Sequence, residues 1–406
     1  MTDPYPQSSP GHRPVRVLIA GGRFAALEAM LALREFAPEA VQVDVLSSRR
    51  WFVVTPTATG ELFRAVPRAR WQLGDLVERA GARLVHGMLG EVDAPRRRII
   101  TTTRTLEYEY AIVAVGARAE AWLDAPGITF SGPGDVPRMG RALDELAARA
   151  GAGEPVRVAF VVPPGPGWVI PAYELALMAR HYLDEHGAAT AGVVLVTSED
   201  APLGIFGDPA TRMISDALNA AGIELHTGAI ARAWADGVLQ IVPDRTVAAD
   251  IVIAMPVLRG PRVPGLAQTQ AGFVDADRHG RVRGAPRVFV AGDAGPFPVK
   301  HGGLACQQAD RVAAVICAEL GIATFEMPPS PVLRGLVWSA DADRFLRRDL
   351  AGGRDESHGT ASAASALWWP PGKVAGRYLA PYLEQMAAHE LVDLPGRDGR
   401  AAPGTG

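Results

Sequence analysis

A buried strand, a glycine turn and a helix with apolar periodicity occur twice along the 406 residues. That repetition predicts an α/β fold of two Rossmann-like, three-layer dinucleotide-binding domains with a C-terminal segment. In the first copy, residues 15–20 (Val-Arg-Val-Leu-Ile-Ala) form the strand, Gly21-Gly22 the turn, Phe24 to Phe36 the helix and 41–46 the next strand. The second copy has a strand at 156–162, a Gly/Pro turn, a helix from 171 to 186 and a strand at 192–197. A third observation completes the frame. Val288-Phe289-Val290-Ala291-Gly292-Asp293 is a buried strand that ends abruptly, and Gly303 to Leu320 reads as a long helix.

These elements divide the chain into a disordered N-terminus (1–14) and a discontinuous first domain (15–120 plus 263–325). The inserted second domain (121–262), a C-terminal segment (326–392) and a disordered tail (393–406) complete it. Between the two copies, residues 82–86, 98–103 and 110–115 are expected to pair antiparallel, because short β-rich pieces alternate with polar turns. Residues 351–366 read as a Gly/Ser/Ala-rich connector, after which Leu367-Trp368-Trp369-Pro370-Pro371-Gly372 opens an aromatic segment.

Composition narrows the function. Hydrophobic residues at 48% and charged residues at 21% are ordinary for a folded soluble chain. Lys+Arg 41 against Asp+Glu 44 gives a net charge of −3, which leaves no global basic field for a nucleic acid. No run of about 18 apolar residues is present to cross a membrane, and the start of the chain has no charged-then-apolar leader. A cytoplasmic location is therefore expected, with contact at the inner membrane face as a secondary reading. The two cysteines, Cys306 and Cys317, make neither a disulfide framework nor a CxxC. Eleven residues apart on one helix, they would lie roughly 16 Å from each other, so they read as small buried apolar residues. Nine histidines without HxxxH or HExxH spacing predict no metal site.

The turn Gly21-Gly22-Arg23-Phe24-Ala25-Ala26-Leu27-Glu28 stands where a GxGxxG/A loop would hold a pyrophosphate on a helix N-terminus. Gly21 supplies the tight turn and Ala26 the close helix–strand packing; a generic strand-to-helix turn is the other reading.

Here the chain resembles the FAD-dependent pyridine nucleotide-disulfide oxidoreductase superfamily, in the branch that holds sulfide:quinone oxidoreductases and type II NADH dehydrogenases. The resemblance covers about residues 15 to 385. It rests on Ile19 to Ala29, on Ala114-Val115-Gly116-Ala117, on Val290-Ala291-Gly292-Asp293-Ala294 and on Phe297-Pro298-Val299-Lys300-His301-Gly302-Gly303-Leu304-Ala305. Trp368 to Lys373 is similar to the Trp-Trp-Pro-Pro-Gly-Lys segment of an actinobacterial-type subgroup. The resemblance implies FAD, held by Gly21, Gly22, Arg23, Ala25, Ala26, Gly116, Gly292, Asp293, Gly302, Gly303 and Leu304. In that reading Asp293 binds a ribityl hydroxyl and the N-terminus of the 303–320 helix faces the flavin pyrimidine. Lys300 is the candidate catalytic residue, stabilising negative charge on the reduced ring; a solvated surface lysine is its alternative.

The chain departs from the family pattern at definite places. Arg23 stands at the close-approach glycine, Ser47-Ser48-Arg49-Arg50 has no carboxylate for a ribose, and Val115 replaces the usual Thr. These changes predict weak FAD binding. In the second copy, Pro163-Pro164-Gly165-Pro166-Gly167-Trp168 carries three prolines without N–H groups for a phosphate, which argues against NAD(P). Glu199 ends the following strand where an acid could meet a ribose, and Glu174 reads as a helix cap or a group near the flavin. Trp368-Trp369 reads as packing over the flavin domain, with an interfacial contact or quinone mouth as the alternative. The implied activity is an FAD-dependent oxidoreductase passing electrons from a small donor to a quinone-like or other small acceptor. A flavin-depleted binding or regulatory module and an NAD(P)H-dependent flavin reductase are the alternatives.

Overall fold

The computed structural model describes residues 13–66, 70–123, 127–326, 330–350 and 360–392. The tail expected to be disordered and all but Arg13 and Pro14 of the expected disordered N-terminus lie outside these residues.

The first five-stranded sheet is wholly parallel, in the order Val288–Val290, Tyr110–Val113, Val15–Ala20, Val41–Ser47, Arg83–His86. The second is also parallel, in the order Ile128–Thr129, Ile251–Ala254, Arg157–Val162, Gly192–Thr197, Glu224–His226. Each carries helices on one face and a three-stranded antiparallel sheet on the other, residues 89–107 in the first unit and 230–248 in the second. Three layers follow from the burial. The strands are apolar on both sides, as strands covered on both faces must be.

One expectation needs correction. Of the pieces read as antiparallel between the two copies, only Arg98–Thr101 is so; Arg83–His86 and Tyr110–Val113 are parallel strands of the first sheet. The four residues Tyr110–Val113 are all buried, and an unbroken apolar run marks a strand covered on both faces rather than half of a hairpin. The connector reading also fails in part. Thr360–Ala363 is a strand that joins Val332–Val337 and Arg344–Asp349 in a C-terminal antiparallel sheet.

Two helices, Phe24–Phe36 and Gly302–Glu319, lie side by side on the first sheet. Their approach is set by Gly292. It has φ +74°, and a methyl group added there would come within 2.9 Å of the Ala25 Cβ and 3.3 Å of the Ala305 Cβ. Glu28, fully buried in the first helix, then reaches the end of the chain. Its carboxyl accepts the N–H groups of Tyr378 at 2.9 Å and Leu379 at 2.7 Å, where the helix Leu379–Val392 begins. That is an N-terminal cap supplied from another element.

Asp310, 4% exposed, faces Glu28 and Arg377. Burial, and then the neighbouring Glu28, raise the Asp310 carboxyl to about 8, while burial raises Glu28 against the pull of its backbone donors. The pair therefore holds a proton. A carboxyl raised on folding binds more protons in the native chain than in the unfolded one, so its contribution to stability is complete below pH ~4 and lost as pH rises through about 8. Asp310→Asn should flatten that slope. Thermal unfolding of the variant is expected to gain on the parent at pH 8.5 relative to pH 5; parallel pH profiles would refute the buried-proton account.

Candidate active site

The chain turns sharply after its first strand because it must. Gly21, at φ +146°, lies against the Ala114 carbonyl, whose oxygen would be 2.2 Å from any added Cβ. Ala114 in turn donates its N–H to Ala20 O at 2.7 Å, so the turn and the Val115-Gly116 strand end are locked together. Gly22 is buried against the Ser47 hydroxyl, which accepts the Arg49 N–H at 3.1 Å. The run Ser47 to Arg50 is thereby placed beside the glycine turn.

Arg23 is the residue before the first helical turn. It provides no side-chain cap, and the turn contains no acidic residue. Phe24, Ala25 and Ala26 have N–H groups without partners among the described residues. The Arg23 side chain opens to solvent on its outer side. Enclosure by the turn and then the charge of Arg49 lower its pKa, and Asp293 opposes them. Neither Arg23 nor Arg49 has an ion pair among the described residues. Two guanidinium groups and a bare helix N-terminus thus meet at one place.

The second helix end comes to the same place. Gly292 packs on Ala25, and a Cβ on Gly302 would lie 3.5 Å from the Phe24 ring. His301 precedes the Gly302–Glu319 helix and its Nδ1 accepts the Gly303 N–H at 3.1 Å. Burial lowers this imidazole to about 4, so it caps the helix as a neutral ring. The first turn is again free of acid. Leu304 is buried in the core of the second unit, which leaves its backbone alone at the helix end. Gln308 Oε1 accepts the Gly292 N–H at 2.9 Å and fixes the turn that carries Asp293. Burial raises the Asp293 carboxyl, and Lys300 and then Arg23 pull it back.

Lys300 is not a surface lysine. It is 3% exposed, which removes the surface reading. Its ammonium donates to Gly295 O at 2.6 Å and Asp293 O at 3.2 Å and lies 3.9 Å from the Phe273 ring centroid. The ammonium thereby clamps the Asp293 turn, and Lys300 also lines the cavity at this helix end. Burial lowers it to about 8.

A cavity of about 650 Å³ lies between this helix end and the second unit. It is lined by Trp168, Glu199, Phe206, His301 and Arg348 among others. Glu199 Oε2 accepts the Tyr173 hydroxyl at 2.6 Å and the Thr197 hydroxyl at 3.0 Å, and burial raises its pKa. The proline turn is held as well: Gly167 pairs with Val299 in a parallel bridge.

Glu174 corrects the capping reading. The helix Ile170–Glu185 has no side-chain cap, and Glu174, fully buried, serves other segments. It accepts the Thr59 hydroxyl at 2.8 Å, the Trp338 N–H at 2.7 Å and the Lys373 ammonium. Lys373 also donates to Leu336 O at 2.9 Å and lies over the Trp338 ring. Burial pushes its pKa well below the usual lysine range. Sequence reasoning noted Lys373 only within its motif. No signal pairs it with Glu174 across 199 residues.

Trp368 packs edge-on against Phe345 of the C-terminal sheet, and Trp369 is 84% exposed. Cys306 and Cys317 are both buried. Burial, and then the charge of Glu28, raise the Cys306 thiol well above its ordinary value, which denies it a thiolate despite its place near a helix N-terminus.

The model of the family "pyridine nucleotide-disulphide oxidoreductase" matches residues 15–311. Two NADH dehydrogenase-like proteins of Mycobacterium tuberculosis, from strains CDC 1551 and H37Rv, are each 29% identical over 292 residues, 68% of this chain and 72% of theirs. Among solved structures, the sulfide:quinone oxidoreductase of Aquifex aeolicus superposes with a TM-score of 0.73 at 18% identity, covering 93% of this chain and 91% of that one. The ferredoxin reductase for the CYP199A2 system of Rhodopseudomonas palustris gives 0.64 at 17% identity, with 83% of each chain covered.

The buried Glu174–Lys373 pair makes a stability prediction. Lys373→Met should destabilise the chain by about 3–5 kcal/mol, because Glu174 is left as an uncompensated buried carboxylate. Adding Glu174→Gln should recover more than half of that loss in denaturant titrations. Simple additivity of the two substitutions would show that the pair is not coupled.

Proposed function

The chain belongs to the pyridine nucleotide-disulphide oxidoreductase family and is an enzyme of the oxidoreductase class. From that premise we propose that it is an FAD flavoprotein that passes electrons from a small donor to a quinone-like or other small acceptor, in the cytoplasm. The observation that carries this reading is the meeting of two acid-free helix N-termini at Gly292, with Asp293 between them.

The donor set fits the cofactor. The unpartnered N–H groups of residues 24–26 and the guanidinium groups of Arg23 and Arg49 suit a diphosphate. The Asp293 carboxylate suits a ribityl hydroxyl. The Gly302 end of the second helix suits the electron-rich edge of the pyrimidine ring. When bound, FAD supplies the two-electron exchange between donor and acceptor. The protein's own part is to orient and to hold charge. Lys300 fixes the turn of Asp293, His301 keeps the helix end capped without adding a proton, and the buried Glu174–Lys373 pair lines the same small cavity as Gly302.

Arg23 changes meaning in this setting. As a side chain beside Arg49, in no ion pair among the described residues, it recognises phosphate rather than blocking it. The donor is taken to be other than a nicotinamide. Three of the six residues in the proline turn have no N–H for a phosphate, Gly167 is bridged to Val299, and the acid at the ribose position already holds two hydroxyls.

Acid extraction of the purified protein tests the proposal. About one FAD per chain is expected in protein reconstituted with excess flavin, and a chain that stays colourless in excess FAD would sink the flavoprotein reading. Asp293→Ala should weaken FAD by about tenfold or more, since a charged hydrogen bond of roughly 1.5–3 kcal/mol is lost. Arg23→Ala should weaken it further at low salt than at high salt; tighter binding would restore the steric view of this residue. NADH and NADPH should bleach the flavin slowly under anaerobic conditions. Rapid bleaching by either at micromolar concentration would make the chain a nicotinamide-dependent reductase.

A further inference from the structure

A larger cleft, of about 850 Å³, opens on the far side of the Gly302–Glu319 helix, between that helix, the turn at 276–280 and the C-terminal sheet. Its size is that of a small-molecule pocket. Phe297, Phe325, Trp368 and Trp369 supply flat apolar walls.

The polar lining is unbalanced. Arg334, half-buried on the sheet wall, has no carboxylate partner among the described residues. In the antiparallel register it stands directly opposite Arg347. Like charges facing each other across a strand pair are destabilising; burial and then Arg347 lower the Arg334 pKa, with Asp349 opposing them. Arg347 reaches Asp349 at 3.3 Å with one nitrogen, but its Nε is buried without a partner. A third cation, Arg377, lies 3.4 Å over the Phe325 ring.

Two carboxylates line the cleft, and neither pairs with Arg334. Asp277 Oδ1 accepts the N–H groups of His279 and Arg281 at 2.8 and 2.9 Å. Asp310 faces Glu28. The cleft therefore offers aromatic faces together with the Arg334 guanidinium, which is in no ion pair among the described residues.

We propose that this cleft binds a planar aromatic acid, its ring taken between the tryptophan and phenylalanine side chains and its anionic group held by Arg334. An anion at that point forms charge-assisted hydrogen bonds and also relieves the Arg334–Arg347 opposition. The inference goes beyond the flavin reading and does not depend on FAD being bound.

The test is binding to the full chain of 1-hydroxy-2-naphthoate, compared with its neutral amide, by calorimetry and tryptophan quenching. The acid should bind saturably, one per chain, and at least about tenfold more tightly than the amide. Raising the salt concentration should weaken the acid alone. Arg334→Met should weaken the acid by about tenfold or more and leave the amide unchanged, with Arg334→Lys in between. Equal affinities for acid and amide, or wild-type affinity in a folded Arg334→Met chain, overturns the proposal. Trp369→Ala, at an exposed position that the fold does not need, provides the second arm and should weaken both probes. If Arg334→Met does not fold, unchanged binding in Trp369→Ala together with salt-independent binding of the acid overturns it equally.

Discussion

The close approach at Gly292 is the constraint on which the rest of the site depends. With a side chain there, the first turns of the two helices could not both reach the Asp293 turn, because the Ala25 and Ala305 methyl groups already leave no room. Everything polar in the site is arranged around that contact. Gln308 holds the Gly292 N–H, Lys300 clamps the Asp293 and Gly295 carbonyls, and the two helix ends bring their partial positive charge to bear on one place. Small residues at 25, 292 and 305 are thus an electrostatic device made from packing.

Buried carboxyl groups do the corresponding work over long range. Glu28 ties the first helix to the last, and Glu174 ties the second unit to the short helix at Thr55–Thr59, to the C-terminal sheet and to Lys373. Each is fully buried and each accepts backbone N–H groups as well as side chains, the condition under which a buried carboxyl is tolerable. The C-terminal segment is therefore part of the first unit's own support.

Local patterns were readable in the sequence. The strand–turn–helix at residues 15–36, its repeat in the second unit and the abrupt strand end at Asp293 all carry their reasons within a few residues. What escaped was whatever depends on distant partners. Tyr110–Val113 was misread because its neighbours in the sheet, Val15–Ala20 and Val288–Val290, come from elsewhere in the chain. Glu174 was given a local role because its partners at 59, 338 and 373 leave no trace in its own helix. Lys300 could be named from its motif, but the direction of its ammonium depends on Phe273 and on the shape of a turn. The cationic wall of the larger cleft was invisible for the same reason, since Arg334 and Arg347 meet only through strand register.

The cap that Glu28 gives to Tyr378 and Leu379 spans 350 and 351 residues. On the ribosome, Glu28 emerges long before the segment that will satisfy it, and until then its carboxyl has only water or an unfinished core for company. The first unit, although its first strand comes at residues 15–20, lacks this contact until residues 378 and 379 have been made. A chain stopped short of residue 378 would leave a polar seam open beside its first helix.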